Sequence, residues 1–136
     1  MKLLYLILLI PALALTDCSC KKPQDTPITG GGKGGHAIIN VTPVYYNAYV
    51  DTCTIYVKYG TLDAPASGVY DDSIVCTVTG GKPVASFAGL KTGLYYFYAH
   101  GYHSGLGHPP NVQGGTQKTV QSEATFDILL PTTYIP

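Results

Sequence analysis

The chain has 136 residues, 46% apolar and 12% charged, with eight cations balancing eight acids for a formal net charge of zero. That length caps the chain at one domain. All eight cations are Lys, which argues against nucleic acid as a partner and against bidentate clamps on phosphate or carboxylate. Sixteen Gly, ten Pro, twelve Tyr and four Cys point to a turn-rich, β-leaning, exported domain.

The N-terminal segment, MKLLYLILLIPALAL, places one cation, Lys2, before an apolar run and small residues after Pro11. It reads as a secretory signal peptide, too short to span a bilayer, and Pro11 argues against a buried helix there. Two ends to this leader are open. Ala12-Leu13-Ala14 has the small-x-small form of a signal peptidase site. Leu15 to Lys22, LTDCSCKK, resembles a bacterial lipoprotein signal, in which a lipidated cysteine becomes the first mature residue. Cys20, preceded by Ser19 and followed by two Lys, is slightly favoured over Cys18, which has Leu15 three residues before it but Asp17 directly before it. The resemblance implies a leader over 1–20 and a lipid anchor in the bacterial outer membrane, on its periplasmic or cell-surface side. Cleavage after Ala14 implies an extracellular protein instead.

Residues 21–35, KKPQDTPITGGGKGG, have almost no apolar content and read as a Gly-rich flexible linker spanning on the order of 20 Å. Three Lys against one Asp make it mildly basic. Residues 36–136, with four Lys against six acids, make a mildly acidic domain. Turn residues interrupt this domain about every 8–12 residues, the spacing of an all-β antiparallel sandwich. Strands are expected at 36–44, 52–59, 73–78, 83–87, 94–102, 116–120 and 124–130, and no window carries a helical period. Period-two alternation sends Cys53, Ile55, Val57 and Tyr59 to one face and Thr54, Tyr56 and Lys58 to the other. It likewise separates Tyr95, Phe97 and Ala99 from Tyr96, Tyr98 and His100.

At FAGLKTGLYYFYAHGY, residues 87–102, Phe87-x-Gly89-Leu90-x-x-Gly93-x-Tyr95 followed by alternating residues resembles the transthyretin-like (prealbumin-like) sandwiches, which include carboxypeptidase regulatory-like domains. The resemblance implies a Greek-key sandwich of about seven strands. In it Phe87 ends one strand facing the core, Leu90 plugs the turn, Gly93 takes a positive φ and Tyr95 opens the next core strand. Such domains serve as spacers, stalks and binding modules, so the resemblance speaks to fold and hardly to function.

Cys53 and Cys76, on inward-facing strand positions of an exported domain, are expected to form a disulfide. Tyrosine is the most informative surplus. Tyr56, Tyr96 and Tyr98 face outward, with Tyr45 and Tyr46 close in sequence at a strand end, and amphipathic rings on a sheet face can stack on sugars or anchor a protein. Exposed Tyr also stabilises strands through cross-strand pairs. His100, His103 and His108, at the end of one strand and in the Gly-rich loop after it, could converge on Zn²⁺ or Cu²⁺, but the spacing matches no ligand motif. Asp71-Asp72 are adjacent and point to different sides, poor geometry for a general acid and base. No G-x-S-x-G elbow is present, and the glycine run precedes a strand, so it makes no phosphate cradle. Asn40-Val41-Thr42 and Asp72-Ser73-Ile74 are glycosylation patterns of high false-positive rate.

The sequence therefore predicts a non-enzymatic envelope lipoprotein with no cofactor, a binding or structural module whose Tyr face contacts a glycan or a protein. The rival is a self-associating subunit of an extracellular fibre, joined by strand addition. A metal-binding His loop is a third, weaker expectation.

Overall fold

The computed structural model describes residues 26–106 and 111–136. The expected leader over 1–20, with Cys18 and Cys20, and His108 lie outside the described residues. Among the described residues there are nine strands: β1 (Lys33–Tyr45), β2 (Ala48–Tyr49), β3 (Thr52–Tyr59), β4 (Asp72–Val75), β5 (Thr77–Thr79), β6 (Lys82–Leu90), β7 (Gly93–Tyr102), β8 (Asn111–Val120) and β9 (Thr125–Tyr134). Among the described residues the only helical turn is a 3₁₀ turn at Ser104–Leu106.

Pairing runs in the order β4-β3-β7-β8-β9-β1-β6-β5, with β2 on β1. The β8–β9 link has two paired positions, Val112 with Tyr134 and Gln113 with Thr133, so the path folds there into two layers, β4-β3-β7-β8 and β9-β1-β6-β5. All neighbours are antiparallel except β1 and β9, which are parallel from Ile38 with Thr125 to Tyr45 with Thr132. At the other side of the sandwich, β4 and β5 are edge strands of opposite layers, and the chain passes between them at Cys76.

Alternation builds the core as the sequence predicts. Ile55 and Val57 of β3, Tyr95, Phe97 and Ala99 of β7, and Ala37, Ile39 and Val41 of β1 are wholly buried. Phe87 of β6 meets Phe97 of β7 across the layers, with ring centroids 5.4 Å apart. Each such large side chain contributes about 1.5–3 kcal/mol by burial. Tyr59, expected inside, is half-buried at the rim, its ring edge-on to Tyr95.

The turn between β6 and β7 organises the N-terminal part of the domain. Leu90 is fully buried and Gly93 has φ 154°. A Cβ at Gly93 would come within 2.5 Å of the Gly30 carbonyl oxygen, so only glycine lets the incoming chain lie there. The Tyr95 hydroxyl, inside the core, donates to the Lys91 carbonyl at 2.6 Å and accepts from the Gly32 N–H at 3.0 Å. Leu94 N–H donates to Gly30 and Lys91 N–H to Gly32. The glycine-rich end of the expected linker is therefore part of the fold, and β1 begins at Lys33 where the sequence suggested 36. The strand expected at 73–78 is broken at Cys76 because its halves pair with different layers.

Candidate functional site

The outer face of the β4-β3-β7-β8 layer carries the tyrosines. Register sets Tyr56 opposite Tyr98, Lys58 opposite Tyr96 and Thr54 opposite His100. Over them folds Tyr70, from the long connection between β3 and β4. Its ring stacks on Tyr98 at 5.7 Å and 16° and meets Tyr56 at 5.6 Å and 45°, while Tyr56 and Tyr98 lie 6.1 Å apart. Three rings thus form one cluster, with geometry in the range where aromatic pairs attract beyond the area they bury.

Asp71 anchors this connection. Its N–H donates to the Val57 carbonyl, one carboxylate oxygen pairs with the Lys58 ammonium at 2.9 Å, and the other accepts the Tyr59 N–H at 2.7 Å. These bonds, the Tyr59 N–H foremost and then Lys58, hold the Asp71 carboxyl below its ordinary range. The neighbouring Asp72 pairs with Lys33 at 3.1 Å. Both aspartates are thus engaged in holding the loop and the start of β1 together.

Two hollows flank Tyr70. One, of about 250 Å³, is lined by Tyr56, Gly68, Tyr70, Tyr98 and His100; the other, of about 380 Å³, by Tyr56, Tyr70, Asp71, Asp72 and Ser73 with Gly68. The Tyr98 hydroxyl donates to Gln113 Oε1 at 2.7 Å. Beside it, a Cβ at Gly115 would strike the Tyr96 hydroxyl, so glycine in β8 gives that ring its place. Burial raises the Tyr70 and Tyr98 hydroxyls above the usual phenol range, with the neighbouring tyrosines adding to it. Both therefore stay protonated donors at neutral pH. Flat rings, neutral phenols and a carboxylate rim suit a ligand with both apolar C–H faces and hydroxyls.

Tyr45 and Tyr46 are not part of this cluster. They sit at the β1–β2 turn, edge to face at 4.7 Å, with Tyr46 at φ 52° and Tyr45 against the His103 ring at 5.5 Å. Closeness in sequence to β3 put them with Tyr56; the turn into β2 carries them away from it. Tyr70, by contrast, gave no periodic signal, because it reaches the face from a loop.

The histidines are parted in the same way. His100 lines the Tyr70 hollow, whereas His103 packs on Tyr45, its Nδ1 3.8 Å from Asp51 Oδ2. Asp51 also accepts the Ser104 N–H, which lowers its carboxyl. Among the described residues no three His, Cys, Asp or Glu are placed to hold a metal ion.

Cys53 and Cys76 carry free thiols, so the expected bridge is not formed in this structure. Their backbones are nonetheless joined, the Cys76 N–H donating to the Cys53 carbonyl at 2.8 Å. The Cys76 side chain and burial push the Cys53 thiol well above the usual thiol range, and Cys53 in turn lowers Cys76. Comparison with protein-family models, curated proteins and solved structures finds no match to this chain.

Proposed function

We propose that this protein is an exported, lipid-anchored envelope module that acts by binding rather than by catalysis, holding a glycan on the Tyr56–Tyr70–Tyr98 face of a transthyretin-like Greek-key sandwich. The observation that carries the binding reading is the three-ring cluster with a hollow on either side, pinned by Asp71. Tyr56 and Tyr98 sit on paired strands and so lose little freedom on binding, and aromatic ring faces match the C–H faces of sugars. The fold reading is supported by the buried Phe87, Leu90 and Tyr95, by the positive φ of Gly93, and by β1 lying between β9 and β6, both distant from it in sequence. Export through the leader and anchoring at Cys20, or Cys18, place the domain at the outer membrane, where Cys53 and Cys76 meet an oxidising environment and join.

A glycan array followed by calorimetry on the best hit tests the site. Tyr70→Ala and Tyr98→Ala each weaken binding at least tenfold, while Tyr46→Ala leaves it unchanged. Binding indifferent to Tyr70 and Tyr98 removes this face as the site. An alkyne fatty acid tests the anchor, since label that survives replacement of both Cys18 and Cys20 by Ala excludes it. The second reading, a fibre subunit, rests on the open edges at β4 and β5, where Val75 and Val78 are 61% and 71% exposed. A monodisperse monomer at high concentration by light scattering counts against it.

A further inference from the structure

The outer face of the opposite layer, β9-β1-β6-β5, is hollowed into an open trough of about 570 Å³, within the range of about 300–1,000 Å³ typical of small-molecule sites. Register sets its lining. Asn40 stands between Asp127 of β9 and Ser86 of β6. On the next rung Thr42 lies beside Leu129, and Val84 faces Thr77 of the edge strand. Lys82, paired with Thr79, lines the trough further along β6, and Tyr49 of β2 contributes a ring. Thr42 is only 8% exposed, which marks the floor, while Leu129 is 64% exposed and leaves an apolar surface open to a ligand.

Asn40 Nδ2 donates to Asp127 Oδ1 at 2.9 Å. That bond consumes one amide proton and one carboxylate oxygen. The pair keeps a second carboxylate oxygen, an amide carbonyl and an amide proton to offer a ligand. One carboxylate is balanced by one ammonium in the same trough, so a ligand of either charge meets a like charge there. Hydroxyl groups, which donate and accept at once, satisfy the Asn40, Asp127, Ser86 and Thr42 groups together, and C–H faces fit against Leu129 and Tyr49.

We infer that this trough binds a segment of an uncharged oligosaccharide chain. The site lies on the layer opposite the tyrosine cluster and stands independently of the function proposed for that cluster.

Native gels cast with hydroxyethylcellulose, glucomannan or dextran, and a control gel with anionic polygalacturonate, test the inference. The protein is retarded in at least one uncharged gel. Asp127→Ala weakens that retardation at least tenfold, and Ser86→Trp abolishes it by filling the trough from an exposed position that leaves the core intact. Tyr46→Ala, outside both sites, keeps it. Unchanged migration in every uncharged gel, or retardation in polygalacturonate alone, overturns the inference. So does retardation that survives Ser86→Trp; if the same retardation is lost in Tyr70→Ala and Tyr98→Ala, the sugar belongs to the tyrosine face.

Discussion

Tyr95 shows how much one side chain can organise. Its ring belongs to the core and its hydroxyl holds two backbone segments, the Lys91 turn and the Gly32 approach to β1. Tyr95→Phe keeps the ring and leaves the buried Gly32 N–H without its acceptor, a loss of about 1–3 kcal/mol. Urea denaturation should show a lower midpoint at an unchanged slope, and hydrogen exchange at Gly32 and Leu94 should quicken; an unchanged midpoint refutes the role. Tyr95 was legible in the sequence because its place in the Phe87–Tyr95 motif fixes both its face and its neighbours. Tyr70 was not, because its partners Tyr56 and Tyr98 reach it only once the loop after β3 folds back onto the sheet. Tyr45 and Tyr46 are the reverse case: near β3 along the chain, they lie at the β1–β2 turn with His103 and not with Tyr56.

Strands were legible where their own residues alternate and hidden where a neighbour imposes them. β3 spans the expected 52–59 because Cys53, Ile55 and Val57 alternate with polar residues. β8 begins at Asn111, where 116 was expected, since Gln113, Gly114 and Gly115 carry no strand signal and are extended by ten paired positions with β7. The corner at Cys76 is a third case. Thr54 pairs with Val75 in the β3–β4 ladder, and the bond from Cys76 N–H to the Cys53 carbonyl continues that register by one rung. Opposite residues of an antiparallel hydrogen-bonded pair stand about 5.5 Å apart at Cα, within the span of a disulfide. Exposure to oxidised glutathione should therefore bridge Cys53 and Cys76, with Cys76, half-buried and lowered by its neighbour, supplying the attacking thiolate. The mixed disulfide resolves on Cys53 with release of glutathione. The bridge closes a loop of roughly 23 residues and contributes about 3.5 kcal/mol in the chain-entropy model. Alkylation mass spectrometry reads the outcome: two alkylated thiols after oxidation would show that the corner holds the sulfurs apart.

At the scale of the molecule, the all-β class follows from period and turn spacing, but which faces lie opposite each other does not. Asn40 and Asp127 are 87 residues apart and share a trough only because β1 runs parallel to β9. Long-range pairing of this kind also ties stability to charges gathered from distant segments, and it sets a pH window. Asp71 and Asp51 are both held low by backbone N–H donors, from Tyr59 and Ser104. Carboxyls with depressed folded values stabilise the fold above their unfolded value, about 3.9, and that stability is lost as pH falls through the folded value. Tyr59 works in the opposite direction. Burial first, then the Asp72 carboxylate, push its hydroxyl up to about 12, and burial raises Tyr70, Tyr95 and Tyr98 as well. A raised phenol contributes stability that is complete below the unfolded value of about 10 and is lost as pH rises through the folded value. Urea midpoints measured from pH 2 to 12 should therefore form a plateau with an acid limb below about 4 and an alkaline limb above about 10. Asp71→Asn should flatten the acid limb, and Tyr59→Phe should shallow the alkaline one. If Tyr59→Phe leaves the alkaline limb as steep as before, its phenol ionises as freely folded as unfolded, and the contact between Tyr59 and Asp72 does not form in solution.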